Sequence, residues 1–215
     1  MIPNLQVEIL VATHNPGKIR EIQEGLGSMP VKLRYLDEFP DISVVDEIGQ
    51  TYEENASLKA IGYAKQTGVC ALADDSGLEV EALGGKPGLF SARFGGELST
   101  NRDRLEKLLA ALSHSGKGER TARFVCSMSL AGWKAPGNQS RGEPRVLTVT
   151  EAICDGEIAP EARGVEGFGF DPLFVPAGYQ ATFAELPSEV KNWISHRAKA
   201  LTAIRVFLHD WLSQT

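Results

Sequence analysis

Residues 71–78 read ALADDSGL, a short apolar run that ends in two adjacent carboxylates, a hydroxyl and a glycine. We interpret residues 70–73 as the end of a buried strand that the following Ser-Gly pair breaks. Because successive side chains of an extended chain point to opposite sides, Asp74 and Asp75 cannot both face one ligand unless the strand ends between them. One carboxylate would then face a site, and the other would support it.

Two neighbouring carboxylates are electrostatically unfavourable unless a cation or a proton lies between them. A hard divalent metal ion such as Mg²⁺ would supply that charge and prefers oxygen ligands. A turn at the end of a strand, in which both Asp side chains cap backbone amides, explains the stretch Asp-Asp-Ser-Gly at 74–77 equally well. The rest of the chain has to decide between these two interpretations.

Size and composition place the chain among globular proteins. Its 215 residues are 42% hydrophobic and 23% charged, which predicts one domain over residues 1–215, with two lobes at most. The net charge of −6, from 22 basic and 28 acidic residues, argues against a nucleic-acid-binding surface. A small anion held by a metal ion and a few local cations is compatible with this charge.

The sequence carries no sign of export or of a membrane anchor. The start lacks a basic segment followed by an apolar core, and no apolar run approaches ~20 residues, so we expect a cytoplasmic protein. Cys70, Cys126 and Cys154 are odd in number and far apart in apolar runs. This pattern predicts reduced core residues rather than a disulfide framework or a zinc site.

The beginning of the chain predicts a strand, a tight turn and a helix. Residues 6–12 form the apolar strand, and the turn THNPGK at 13–18 leads into the helix. A helix N-terminus attracts anions, and Lys18 in its first turn would oppose the helix dipole unless an anion lay between them. The alternative is that Asn15 is only the N-cap and Lys18 is solvated.

A second helix should follow a strand at 31–36. A capping-box pattern at Thr51 begins it, and Gly68 is placed to end it. Asp46 and Glu47 lie just before this helix. Taken alone they are solvated loop residues, but they could share a metal ion with the Asp pair that comes one strand later.

The middle of the chain predicts more strands and one amphipathic helix. We place strands at 77–83, 120–130 and 145–153, a helix at 100–112, and loops at 84–96 and 133–143. The loop at 84–96 is longer than most connections, and such loops are often functional. Trp133, at the start of the second loop, is predicted to be a packing residue.

Residues 164–172, GVEGFGFDP, combine close-approach glycines with two aromatic rings and a carboxylate. Phe168 could stack on a flat heterocycle while Asp171 accepts its ring N–H groups. Packing of Phe168 and Phe170 in the core is the alternative. A short strand at 173–175 is predicted to follow.

Residues 187–212 are predicted to be mostly helix, with a broad apolar surface. Near its start, Lys191, His196 and Arg197 offer hydrogen-bond donors within a short span. They suggest an anion or carbonyl site, although a surface lysine and a buried capping histidine would be ordinary.

Taken together, five segments resemble the inosine triphosphate pyrophosphatase family, the Ham1-like proteins, and in particular its bacterial-type members that act on non-canonical purine nucleoside triphosphates. The segments are T-x-N-x-x-K at 13–18, ADDSGL at 73–78, GG-x-PG-x-x-SAR at 84–93, FGFDP at 168–172 and SHR at 195–197. They cover nearly the whole chain in the family's order. The loop at 133–143 is longer than the family core needs.

The resemblance implies an α/β fold in which a long mixed sheet with flanking helices forms two lobes around a central nucleotide-binding cleft, usually in a homodimer. It implies hydrolysis of ITP, dITP and XTP to the monophosphate and pyrophosphate, by attack of water at the α-phosphorus with Mg²⁺. A non-catalytic nucleotide sensor and a pyrophosphatase of the Maf type, which prefers other nucleotides, are the alternatives.

The resemblance also assigns roles by residue. Asp75 would bind metal and act as the general base, Glu47 would be the second metal ligand in preference to Asp46, and Ser76 would touch the substrate. The remaining substrate contacts fall into a triphosphate group and a base group: Thr13, His14, Asn15, Pro16, Gly17 and Lys18 for the triphosphate, and Phe168, Gly169, Phe170, Asp171, Lys191, His196 and Arg197 for the base.

Overall fold

The computed structural model describes residues 6–96, 99–116, 118–133 and 142–213. The strands and helices follow in chain order: β1 Val7–Val11, α1 Pro16–Leu26, β2 Val31–Tyr35, α2 Tyr52–Thr67, β3 Cys70–Val80, α3 Asn101–Ser115, β4 Thr121–Gly132, β5 Arg145–Ile158, β6 Phe174–Pro176, α4 Ser188–Ile194 and α5 His196–Leu212. Short 3-10 turns cover Leu36–Glu38, Glu81–Leu83 and Gly88–Arg93.

The strands form one mixed sheet in the order β2-β1-β3-β4-β5-β6. β1 pairs in parallel with both β2 and β3, whereas β5 and β6 are antiparallel. A mixed sheet with flanking helices is the predicted α/β class, which is therefore confirmed. None of the helices in the described ranges is long and apolar enough to cross a membrane.

The chain divides into two compact units. The first contains the described residues up to Asp75, those from Ser127 to Glu151, and those from Ala200 onwards. Its apolar core joins residues of β1, α2 and β3, with Leu10, Ala60 and Ala71 fully buried. The predicted single domain of two lobes is compatible with two units but stays a prediction.

The second unit contains the residues from Ser76 to Cys126 and from Ala152 to Lys199. Leu78, Leu108 and Phe174 are fully buried in its core. The described part of the long connection at 84–96 is held to this unit by the antiparallel bridge between Glu79 and Pro87.

The predicted break after Asp75 is wrong, because β3 runs on to Val80 and only residues 81–83 leave the strand. Leu78 and Val80 are fully buried in the core of the second unit, and the Leu78 N–H donates to Ser91 Oγ at 2.9 Å. Burial and a hydrogen-bond partner therefore keep the chain extended past Gly77.

The predicted C-terminal helix is two helices separated at Ser195. This residue has an extended conformation, and its N–H donates to Lys191 O to end α4. Its hydroxyl accepts from the Ala198 N–H at 3.1 Å and so caps α5. A serine that satisfies both helix ends explains the turn that periodicity alone does not show.

The other predicted elements agree with the structure within three residues at their ends, except that β5 runs five residues past the predicted end at 153. All three cysteines are buried thiols, as predicted. Trp133 is buried and its indole N–H donates to Gly142 O, which confirms a packing role. Residues 134–141 of the predicted loop lie outside the described residues.

The C-terminal end of α2 provides a test of the backbone. Gly68 has φ +71°, and a side chain there would meet no other atom, so only backbone strain opposes a substitution. We predict that Gly68→Ala lowers the free energy of unfolding by about 1 kcal/mol. Gly27→Ala, at a cap with φ −57°, should change it little. Urea unfolding of both variants checks this, and equal losses would contradict it.

Candidate functional site

The turn at 13–18 is organised by its own side chains. Asn15 is the N-cap of α1, and its Oδ1 accepts from the amides of Gly17 and Lys18 at 2.9 and 3.2 Å. Thr13 Oγ1 accepts from the Asn15 amide. These first helical amides are thus already satisfied, so the attraction for an anion rests on the helix dipole and on Lys18.

Lys18 is not solvated, contrary to the simpler interpretation of this turn. Its Nζ lies 2.9 Å from Asp74 Oδ2, and its side chain is only 15% exposed. Asp74 is itself 1% exposed, so β3 supplies a buried negative charge at the start of α1. His14, in contrast, is an exposed residue 3.7 Å from Asp37, and Pro16 is exposed.

Lys59 of α2 gathers the acidic groups of the first unit. Its Nζ lies 2.6 Å from Glu47 Oε1, 2.7 Å from the carbonyl oxygen of Asp74 and 3.9 Å from Asp75 Oδ1. The carboxylates of Glu47 and Asp75 thus converge on one ammonium group although they come from a loop and a strand. Of the two neighbouring acidic residues, Glu47 is the one whose carboxylate meets Lys59, and Asp46 is exposed.

Asn55 ties the cluster together one helical turn before Lys59. Its Nδ2 donates to Asp75 Oδ2 at 3.1 Å, and its Oδ1 accepts from the Gly49 amide at 2.8 Å. Asn55 is 3% exposed, which fixes both contacts against competition from water. It therefore connects the carboxylate of β3 to the loop that carries Glu47.

Burial and neighbouring charges shift the pKa values in opposite ways. Burial raises the pKa of the Asp75 carboxyl, although Lys59 and Lys18 act in the other direction. Burial also works against the charge of Lys59, but the carboxylates of Asp74, Asp75 and Glu47 outweigh it and leave the pKa of this lysine raised. Lys59 consequently favours its charged form, whereas the Asp75 carboxyl is harder to ionise than an ordinary Asp.

These residues offer oxygen ligands for a hard metal ion. The two carboxylates near the Lys59 ammonium group fit the chemistry of Mg²⁺. This ion keeps several waters or substrate oxygens as ligands and needs only one or two protein carboxylates. No group of three or more His, Cys, Asp or Glu side chains within the described ranges could hold a metal ion by itself. The arrangement therefore suits a metal ion bound jointly with a phosphate ligand.

In the second unit, the loop around Phe168 is held by Asp171. Asp171 Oδ2 accepts from the Phe168 amide at 2.8 Å and from Lys191 Nζ at 2.5 Å. Gly167 has φ +74°, and a Cβ there would collide with the Asp171 carboxylate. The glycine is thus required for the close approach that positions the Phe168 ring.

Two cations flank the Phe168 ring. Lys191 Nζ lies 4.7 Å and Arg197 Cζ 5.7 Å from the ring centroid. Phe168 as a residue is partly exposed, which is compatible with a stacking surface. The Phe170 side chain is buried in the core of this unit, so only its backbone is available to a ligand.

His196 and Arg197 are both buried, at 4% and 1% exposure. Phe124 stacks on the His196 imidazole, with centroids 4.6 Å apart and planes inclined by 10°. Arg197 Nη2 donates to Ser76 Oγ at 2.8 Å. The structure thus brings together the predicted base-binding residues of this unit, and it orients the histidine by an aromatic contact.

Sequence analysis missed three residues of these clusters: Asn55, Lys59 and Phe124. Asn55 and Lys59 are spaced by one helical turn along the buried stripe of α2, and polar residues in such a stripe are a usable signal. For Phe124 the sequence holds no such signal, because its partner lies far along the chain.

A surface cavity of about 400 Å³ in the second unit lies apart from these residues. Arg120 and Arg163 line it, but they donate to the carbonyl oxygens of Ile158, Ala159 and Gln180. The guanidinium groups are thus used to fix backbone, and none of the predicted site residues lines the cavity.

The raised pKa of Asp75 predicts a pH-dependent stability. In the metal-free protein, Asp75 binds more protons in the folded than in the unfolded state. This holds from about pH 3.8, the ordinary pKa of an Asp carboxyl, up to the raised pKa of Asp75. The free energy of unfolding therefore falls as pH rises through this window. The Asp75→Asn variant should lack this fall in the free energy of unfolding. It should be more stable than wild type at pH 7 but not at pH 3. Asp41→Asn, at an exposed position, is the control. Urea unfolding at both pH values, in the presence of a chelator, measures these stabilities. An Asp75→Asn variant that is less stable than wild type at pH 7 would refute the prediction.

Comparison with known proteins agrees with the geometry. The model of the Ham1 family matches residues 9–207. The chain is 46% identical over 209 residues to the dITP/XTP pyrophosphatase of Desulfotalea psychrophila, which covers 96% of this chain and 88% of that one. It is 40% identical over 201 residues to the dITP/XTP pyrophosphatase of Bacillus subtilis, which covers 94% of this chain and 96% of that one. The solved structure of a HAM1 protein from Coxiella burnetii superposes with a TM-score of 0.82 at 40% identity, covering 95% of this chain and all of that one. The chain therefore belongs to the Ham1 family.

Proposed function

We propose that this protein hydrolyses the triphosphates of non-canonical purine nucleosides, ITP, dITP and XTP, to the monophosphate and pyrophosphate, and so clears them from the nucleotide pool. The proposal is supported by the names of relatives that align over nearly the whole chain. The structural observation that carries it is the convergence of Glu47 and Asp75 on Lys59. We expect the protein in the cytoplasm, where these substrates arise.

Glu47 and Asp75 would hold Mg²⁺. When bound, this ion would neutralise charge on the phosphate oxygens and favour ionisation of water at the α-phosphorus. Lys59 contributes a positive charge between the two carboxylates, and this charge lowers the pKa of Asp75 against the effect of burial.

Asp75 is proposed as the general base. In the metal-free protein burial raises the pKa of its carboxyl, and a carboxyl of raised pKa is a stronger proton acceptor once ionised. The hydrogen bond from Asn55 Nδ2 fixes the orientation of the carboxylate. Asp74, on the other side of β3, supports the site by holding Lys18.

The turn at 13–18 is proposed to bind the triphosphate. Lys18 supplies the charge, Thr13 and Asn15 supply polar side chains, and His14, Pro16 and Gly17 complete the turn. An acidic protein can bind a polyanion only through such local features, and the dipole of α1 adds to them.

The second unit is proposed to bind the base. Phe168 would stack on it, Ser76 and the backbone of Gly169 and Phe170 would complete the contact, and the polar groups Asp171, Lys191, His196 and Arg197 would read its edge. Since Asp171 already accepts from Lys191, these two residues would act as a pair.

Hydrogen-bond patterns explain why 6-oxopurines should be preferred. Such a base offers an acceptor at O6 and a donor at N1, whereas adenine offers the reverse. Donors from His196 and Arg197 would remain unpaired against adenine, and each buried unpaired group costs about 1–3 kcal/mol. Guanine keeps O6 and N1–H but adds a 2-amino group, so its rejection should be weaker.

A homodimer is also proposed, on the resemblance to the family. Phe94, which would be costly to expose, instead packs partly against the core of its own unit. Phe90 in the same connection is 62% exposed and is the better candidate for a covered contact.

A substrate panel with product analysis tests the function. With Mg²⁺ we expect ITP, dITP and XTP to be hydrolysed to pyrophosphate, with GTP slower and ATP lower by ~10³-fold or more in kcat/KM. Stepwise release of phosphate, or no hydrolysis despite nucleotide binding, would reject the pyrophosphatase and favour a sensor. A preference for pyrimidine nucleotides would favour the Maf type.

Substitutions of Arg197 test base recognition within that panel. Arg197→Ala should lower kcat/KM for ITP and also lower the ratio of kcat/KM for ITP to kcat/KM for ATP. Arg197→Lys keeps the buried charge and should lower the same ratio. The control, Arg205→Ala, removes an exposed arginine of the same helix that donates to Ser28. If activity falls while the ratio stays constant, Arg197 contacts phosphate or structure rather than the base.

A further inference from the structure

The segment at 43–49, which carries Glu47, follows α2 with a regular alternation. Ser43 exchanges two hydrogen bonds with Gln66, from Ser43 N–H to Oε1 at 2.6 Å and from Nε2 to Ser43 O at 3.1 Å. Glu47 meets Lys59 at 2.6 Å. Both contacts are made by odd-numbered residues of the segment.

Val45 and Gly49 provide the other two contacts. Val45 packs on Gly62 so closely that a Cβ at position 62 would lie 2.7 Å from Val45 Cγ2. The Gly49 N–H donates to Asn55 Oδ1 at 2.8 Å. A Cβ at Gly49 would in turn lie 2.8 Å from that Oδ1, so the backbone touches the helix at this point.

The spacings of the two partners are similar. The contact residues on α2 are 55, 59, 62 and 66, which follow one face of a helix and rise by about 5.5 Å per step. Every second residue of an extended chain advances about 6.6 Å, and its side chains alternate between faces. The even-numbered Val44 and Ile48 accordingly point away and are 77% and 80% exposed, whereas the side chain of Glu47 between them is 35% exposed.

A shift of this segment by one residue would turn Glu47 away from Lys59 and bring Asp46 or Ile48 in its place. Glu47 and Asp46 are both acidic, so composition alone does not choose the ligand. The register chooses it, and three of the four contacts that set the register, at Ser43, Val45 and Gly49, involve neither carboxylate.

We infer that Gly62 and Gln66 are positioning residues, which hold the segment at 43–49 in register on α2 and thereby place the Glu47 carboxylate opposite Asp75. The inference rests on the proposed function only for the claim that Glu47 is a metal ligand. The register itself is a property of the metal-free protein and can be measured without substrate.

Gly62→Ala is the sharpest test, because the added methyl group meets the stiff, β-branched Val45. Val45→Ala in the same chain should relieve the collision, since the new Cβ would lie 3.5 Å from the Cβ of residue 45, an ordinary contact. Gly25→Ala is the matched control. It adds the same methyl group to helix α1, also 2.7 Å from its nearest atom, but that atom is Leu201 Cδ1 of α5 and not an atom of the segment.

The first measurement is amide hydrogen exchange in the metal-free protein. The amides of Ser43, Gly49 and Gln50 donate to side chains of α2 and report the register directly. We expect them to exchange faster in Gly62→Ala and to recover in the double variant with Val45→Ala. Gly25→Ala should match wild type. Unchanged exchange in Gly62→Ala, or no recovery in the double variant, would overturn the inference.

The second measurement is the Mg²⁺ concentration that gives half-maximal hydrolysis of ITP. We expect it to rise about tenfold in Gly62→Ala, as for other residues that orient a metal ligand, and to recover in the double variant. KM for ITP at saturating Mg²⁺ should change less. Faster exchange with an unchanged Mg²⁺ requirement would overturn the positioning role of Gly62.

Gln66→Ala provides a variant without steric strain. It removes both hydrogen bonds to Ser43 and should shift the same two readouts in the same direction by a smaller factor. If Gly62→Ala does not fold, this variant decides alone, and wild-type exchange in it would overturn the inference. If wild type hydrolyses no ITP, the proposed function fails, whereas the exchange data still decide the register.

Discussion

The ammonium group of Lys59 is the interaction on which the candidate site depends. It lies 2.6 Å from Glu47, 2.7 Å from the backbone oxygen of Asp74 and 3.9 Å from Asp75, so a single charge joins a loop and a strand to helix α2. Without it, the pKa of the buried Asp75 carboxyl would rise further, because Lys59 acts against the effect of burial. The raised pKa of Asp75 shows that even this charge does not fully offset burial.

The fold supplies this arrangement through alternation along β3. Asp74 and Asp75 are neighbours in a strand, so one carboxylate meets Lys18 of α1 while the other meets Asn55 of α2. The strand thereby connects the turn at 13–18, the proposed triphosphate site, to the proposed metal ligands. In the second unit a different set of charges surrounds Phe168, and there Asp171 plays the supporting part by holding the loop and Lys191.

Local signals in the sequence predict the parts that local physics determines. Asn15 and Thr51 cap their helices, and Gly68 ends α2 in the left-handed conformation, because these effects involve only a few consecutive residues. The capping box at Thr51 is only half present, since Glu54 accepts from the Gln50 amide instead. The family resemblance supplied the remaining site residues, whose partners lie far along the chain.

Sequence analysis failed where tertiary contacts override local preference. Gly77 did not end β3, because Leu78 and Val80 are drawn into a core. Lys59 and Phe124 gained roles only through groups brought to them by folding. The choice between Asp46 and Glu47 likewise depends on the register of the segment on α2, which is a packing property.

The central claim is that the carboxylates around Lys59 direct water to the α-phosphorus of the nucleotide. Hydrolysis of ITP in ¹⁸O-labelled water with Mg²⁺, followed by mass spectrometry of both products, tests it most directly. The account predicts one ¹⁸O atom in the nucleoside monophosphate and none in pyrophosphate. Label in pyrophosphate, or labelled orthophosphate as the first product, would place the attack at another phosphorus and contradict the account.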